Sequence, residues 1–191
     1  APAALGVDVA WSSAALDAQM PELLAGQETL YFPFAVQAGL PLQIQQWLGA
    51  LRNRARSGVR APQVLRDVCA LLDEMRLHKD AGEIALMRHA GDISAQGHIR
   101  AMQTSARMLR AGQDAREFHL EAELLHAFRQ AGSAAPAYTS IVAAGANACV
   151  LHYRAGNAPL KADELVLIDA ACEWQNYASD ITRTFPAGGR F

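Results

Sequence analysis

The chain has 191 residues, 51% of them apolar and 19% charged, with 17 Lys+Arg against 19 Asp+Glu and a formal net charge of −2. Charges interrupt every apolar run well short of the 18 or so residues a membrane helix needs. The composition likewise excludes a disordered tail, and the near-neutral balance argues against a dedicated nucleic-acid binder. Such a length suits one domain or two small ones. Three cysteines, Cys69, Cys149 and Cys172, form no CxxC pair. That sparse, odd count fits a reducing, cytoplasmic setting better than a disulfide scaffold or a zinc-thiolate site. The opening Ala1-Pro2-Ala3-Ala4 lacks the basic and apolar regions of a signal peptide, and Gly188-Gly189-Arg190-Phe191 stops without a closing element. Both ends read as cuts, so a segment of a longer protein is expected.

In chain order, Ser13 can cap a helix from Ala14 to about Leu24, closed by Gly26. Glu28 to Phe34 is aromatic and strand-like, and Pro33 confines it to a sheet edge. Leu40, Ile44, Trp47, Leu48, Leu51 and Ala55 share one helical face. The arginines beyond it, Arg52, Arg54, Arg56 and Arg60, read as a solvated helix end. Gly58 to Pro62 is a turn, and Val64 to Leu72 a short helix or strand. The charged stretch 73–80 separates two apolar blocks and is the candidate domain boundary.

Asp80 and Glu83 have the spacing of a capping box. A long helix follows to about Leu109, closed by Gly112. Asp114 and Glu117 repeat the device before a helix through Phe118, Ala122, Leu125 and Phe128, closed by Gly132. A connection this short favours an antiparallel helix pair. Ser140 to Ala144 is strand-like and Gly145-Ala146-Asn147 a turn. Leu165 to Ile168 is a continuous apolar run, as for a strand buried on both faces. Tyr177 to Phe185 reads as a further strand.

Asp169 ends the apolar run, and Asp180 follows eleven residues later. If Gln175-Asn176 is a two-residue hairpin loop, Trp174 faces Tyr177 and the two aspartates are diagonal neighbours on one face, about 7–8 Å apart at Cα. A four-residue loop at 173–176 puts them directly opposite; a three-residue loop splits them across the sheet. Carboxylates aimed together repel, so either a proton is shared or cations sit between them. Oxygen ligands favour Mn²⁺, Mg²⁺ or Ca²⁺. The competing reading places one aspartate in a turn and the other on backbone donors. His152 is a second candidate, against an ordinary exposed histidine beside a strand. His119 and His126, among Glu117, Glu121 and Glu123, read as a solvated face. No HExxH, P-loop, GxGxxG or nucleophile elbow occurs.

Several segments together resemble one family: Glu74 to Lys79, Ala137 to Ala143, Leu151-His152-Tyr153, and Leu165 to Phe191. They are similar to Xaa-Pro aminopeptidases (aminopeptidase P), pita-bread metallopeptidases related to prolidase and methionine aminopeptidase. The resemblance implies an α+β fold: the first half of a pita-bread catalytic domain, a helix pair plus an antiparallel sheet, over residues 74–191. Residues 1–73 match the end of a small α/β N-terminal domain. It further implies two divalent ions, Mn²⁺ first and Zn²⁺ or Co²⁺ as alternatives, held by two Asp, one His and two Glu. The two aspartates match Asp169 and Asp180, and the substrate-contacting histidine matches His152. The remaining ligands belong to the second half of the fold, so this chain carries an incomplete site and little or no activity alone. Ala171 stands where the family commonly has glycine. The implied partner is a proline-containing peptide, with no nucleic acid or membrane, in a homo-oligomer (dimer or tetramer). A prolidase confined to dipeptides and a metal-free binding module are the alternatives.

Overall fold

The computed structural model describes residues 2–154 and 156–190; Ala1 and Phe191, the chain ends singled out above, lie outside the described residues, as does Ala155. The chain divides into two units, Ala1–His78 and Lys79–Phe191. The division falls a few residues after the 73/74 boundary, because a helix runs through that point.

In the first unit, α1 (Leu16–Leu24) follows a short 3₁₀ turn, Ser13–Ala15. Ser12, not Ser13, is the cap, its hydroxyl accepting from Ala14 N–H. Then come β1 (Thr29–Phe32), α2 (Leu40–Asn53), β2 (Val64–Asp67) and α3 (Cys69–Leu77). The stretch read as a helix or a strand is therefore a strand followed by a helix. β1 and β2 pair in parallel, Thr29 opposite Val64 and Phe32 opposite Asp67. The expected apolar face of α2 makes the core: Ile44, Trp47, Leu48 and Leu51 pack with Leu24. Asp17 accepts from Trp47 Nε1 at 2.9 Å and Gln43 Nε2 at 3.0 Å, tying α1 to α2. Arg52, Arg54, Arg56 and Arg60 are exposed.

In the second unit, α4 (Ala81–Arg110) starts with the expected capping box. Asp80 Oδ1 accepts from Glu83 N–H at 2.8 Å, and Glu83 Oε2 accepts from Asp80 N–H at 2.7 Å. After α4 comes α5 (Glu117–Gln130), whose N-terminus departs from the expected box. Arg116 is the cap and His119 Nδ1 accepts its N–H, while Asp114 pairs with the Arg116 guanidinium instead. Ala90, Ile93 and Ala101 of α4 pack in one core with Leu120, Leu124 and Phe128 of α5.

That core continues into a three-stranded antiparallel sheet of β3 (Ile141–Ala144), β4 (Leu165–Asp169) and β7 (Thr182–Pro186), with β4 in the middle. A small hairpin, β5 (Glu173–Trp174) and β6 (Tyr177–Ala178), lies between β4 and β7 in sequence. Val142, Ala144, Val166, Ile168 and Phe185 turn toward the helices and join the core. The other face is open. Leu165 is exposed and Leu167 half-buried, so the run 165–168 is not buried on both faces as expected. An antiparallel sheet with helices on one side needs only one apolar face.

Two predictions follow from this packing. A Cβ built on Gly97 would sit 2.7 Å from Phe128 Cε1, and Phe128 is 1% exposed with no room to yield. Overpacking of this kind costs about 1–3 kcal/mol, more than the roughly 1 kcal/mol of helix propensity alanine adds. Gly97→Ala is expected to lower the urea midpoint. Glu83 also accepts from Tyr177 OH at 2.6 Å, and that bond, with the cap bond to Asp80, holds its carboxyl below the usual range. Its contribution is full above the unfolded pKa of about 4.3 and is lost as pH falls through the lower folded value. Glu83→Gln is therefore expected to unfold less steeply between pH 5 and pH 3, as followed by circular dichroism.

Candidate metal centre

The site lies on the open face of the sheet, and one hairpin register builds it. Trp174 pairs with Tyr177 across Gln175-Asn176, the two-residue loop among the alternatives. The same register runs down the ladder: Ser179 N–H to Cys172 O, Ala170 N–H to Ile181 O, and Asp169 opposite Thr182. Asp180, two residues before Thr182, is then the diagonal neighbour of Asp169. Ile141 of β3 is opposite Asp169 on the other side.

Tyr138 joins the two carboxylates. Its hydroxyl lies 2.5 Å from Asp169 Oδ1 and 2.9 Å from Asp180 Oδ1. Those two distances cap the separation of the carboxylate oxygens at their sum, 5.4 Å. The phenol brings one proton to two acceptors. Burial pushes the Tyr138 pKa far up, and its bonds to both aspartates push the same way, so it remains a donor. Nothing in the spacing marks Tyr138 as a site residue; it stands in the family-like segment Ala137 to Ala143, and only the fold carries it from the loop before β3 to a hairpin some 30 residues on.

His152, Arg154, Thr139 and Ile141 line the same cavity as Tyr138, Asp169 and Asp180, with a volume of about 400 Å³. All three sequence candidates thus line one cavity. His152 is exposed and takes the left-handed conformation, φ +54°. Arg154 is exposed and makes no ion pair within 4 Å among the described residues.

Helix α4 fixes the hairpin from behind. Ser94 Oγ accepts from Cys172 N–H at 2.8 Å and meets Ser179 Oγ at 2.8 Å. His98, 2% exposed, contacts Ala170 O through Nε2 at 2.8 Å. A carbonyl only accepts, so Nε2 carries the proton. Desolvation is the first cause of the lowered His98 pKa and keeps the ring neutral. Ala171 is fully buried without a positive φ, so its backbone takes an alanine without strain.

The solvated face expected around His119 is wrong at one residue. Glu117 is fully buried and accepts five hydrogen bonds from the described residues: Ala144 N, Asn147 Nδ2, Tyr153 OH, Gly156 N and Ala158 N. An acidic residue at a helix start ordinarily reads as a surface cap, which is why its sequence context conceals it.

The donor set suits hard divalent cations: two carboxylate oxygens converge at an open cavity. Among the described residues, however, no group of three or more His, Cys, Asp or Glu side chains comes together to hold an ion. The residues present fit part of an oxygen-ligated site and not a complete one.

The second unit is thus an antiparallel sheet backed by two helices, with paired aspartates on its open face. Residues 85–191 match metallopeptidase family M24, and the chain belongs to that family. It is 40% identical over its whole length to Xaa-Pro aminopeptidase of Escherichia coli K12 and 41% identical to that of Haemophilus influenzae. It spans 42% and 40% of those two relatives. Among solved structures, Pseudomonas aeruginosa aminopeptidase PepP superposes with a TM-score of 0.90 at 43% identity, covering 97% of this chain and 41% of that one. Escherichia coli aminopeptidase P in complex with substrate matches with a TM-score of 0.90 at 38% identity, over 100% of this chain and 42% of that one. The fold is that of the corresponding part of aminopeptidase P.

Asp180→Asn would let the amide donate to the Tyr138 oxygen while that hydroxyl donates to Asp169. In chelator the variant is expected to be more stable, by about 1 kcal/mol, the net worth of one hydrogen bond. Differential scanning calorimetry in EDTA checks the direction.

Proposed function

We propose that this chain is a segment of a longer, cytoplasmic, metal-dependent aminopeptidase that releases the N-terminal residue from peptides with proline in second position. The observation that carries the reading is the convergence of Asp169 and Asp180 on Tyr138 in a cavity, in a chain of family M24. The relatives named Xaa-Pro aminopeptidase support the substrate class.

In this reading Asp169 and Asp180 supply oxygen ligands for two divalent ions, Mn²⁺ first; a zinc-substituted Escherichia coli relative is known in complex with product. When bound, such ions would polarise the scissile carbonyl and lower the pKa of a water. Tyr138 stays protonated and holds one oxygen of each carboxylate in place, leaving the other free to ligate. His152 donates to the substrate carbonyl from the cavity wall. The remaining ligands come from the rest of the enzyme, which works as a homo-oligomer.

The test uses the full-length protein that carries this chain, loaded with Mn²⁺ and given a Xaa-Pro-Xaa tripeptide and a Gly-Pro dipeptide. Cleavage of the tripeptide, reduced at least about 100-fold by Asp169→Asn or Asp180→Asn, is expected. Cleavage of the dipeptide alone would make it a prolidase. Failure to retain half an equivalent of metal would favour a binding module.

A further inference from the structure

Glu117 is fully buried, has no ion-pair partner among the described residues, and does not line the cavity of Asp169 and Asp180. A buried carboxylate is costly unless its charge is met by hydrogen bonds. Here five neutral donors and the N-terminus of α5 meet it. Holding a charge in that way is a strong constraint on everything that donates to it, and the donors have a pattern.

Oε1 accepts from Ala144 N at 2.9 Å and Asn147 Nδ2 at 2.9 Å, at the start of the segment between β3 and β4. Oε2 accepts from Tyr153 OH at 2.8 Å, Gly156 N at 3.2 Å and Ala158 N at 3.4 Å, further along it. His152 lies between the two groups, in a left-handed conformation that costs a non-glycine residue about 1 kcal/mol or more. Gly156 is needed for the approach: a Cβ there would stand 2.8 Å from Tyr153 OH and 3.3 Å from Glu117 Oε2. Below the carboxylate, Glu117 N–H donates to Ala158 O at 3.1 Å and Leu160 N–H to Ala115 O at 2.8 Å, so the backbone closes the same loop.

We propose that Glu117 is a positioning residue for the site: its buried carboxylate clamps both ends of segment 144–158 and thereby sets His152 against the Asp169–Asp180 cleft. Glutamine at 117 presents an N–H₂ to one of the two donor groups and releases that end. The aspartates do not depend on this clamp, since α4 and the hairpin hold them. The proposal rests on the aminopeptidase reading only for what His152 does.

The experiment uses the full-length Mn²⁺-loaded protein as wild type, Glu117→Gln, Tyr153→Phe, His152→Ala and the Glu117→Gln/His152→Ala pair. Glu117→Gln is expected to lower kcat on a Xaa-Pro tripeptide roughly 10- to 100-fold, as displacement of a contact group by about 1 Å does, with metal content unchanged. Tyr153→Phe, which removes one donor and leaves the fold intact, lowers it less. In the His152→Ala background, Glu117→Gln adds little further loss, because the group it positions is gone. Equal loss in both backgrounds, or loss of metal, overturns the proposal. Hydrogen exchange supplies an arm independent of activity: Glu117→Gln speeds exchange in 145–158 and spares 165–186. An inactive wild type with that exchange pattern refutes the aminopeptidase reading and keeps the clamp. Uniform exchange across both segments refutes the clamp.

Discussion

Where both aspartates point depends on a loop of two residues. Gln175 and Asn176 both have positive φ, 48° and 69°, the pair of left-handed conformations that a type I′ turn requires and that matches the twist of the flanking strands. Once Trp174 faces Tyr177, the partner of every residue down to Leu165 is determined. A slip of one residue would turn Asp180 toward the helices, into a core of alanine, valine and phenylalanine where a carboxylate has no donor. Ser94 and His98 of α4, bonded to Cys172 N–H and Ala170 O, and the bond Ser179 Oγ donates to Ala90 O of the same helix oppose that slip from the helix side.

Charge is handled in two ways within one unit. Glu117 is wholly withdrawn from water and saturated with neutral donors, which makes it rigid. Asp169 and Asp180 are half-buried and exposed and share one phenolic hydrogen, which leaves them acceptors to spare. The first arrangement orders a loop; the second is open to a cation. Both sit on the same scaffold because helices cover only one face of the sheet, leaving the face with the aspartates accessible.

Local signals were legible where the interaction itself is local. The capping box of Asp80 and Glu83 spans three residues and formed as its spacing predicts, and the apolar face of α2 became the first unit's core. The family resemblance carried by the segments around His152, Asp169 and Asp180 agrees with the match to family M24. Neighbouring choices were less determinate. Ser12 and Ser13 are both competent caps, and the backbone settled on Ser12. Asp114 lost its cap role to a nearby guanidinium. The run 165–168 has the same composition whether one face or two are covered, so composition overstated its burial.

By itself, then, the sequence determined the main periodicities and the Asp80–Glu83 capping box, and it offered the two-residue loop as one of three, two of which put Asp169 and Asp180 on one side. These depend on residues close together along the chain. Only the tertiary structure decided that Tyr138 bridges the two carboxylates and that Glu117 is buried beneath the loop of His152. Those contacts join residues some 30 to 40 positions apart, and whether a polar side chain at such a distance meets water or five donors is a property of the packed fold, with no trace in its immediate neighbours.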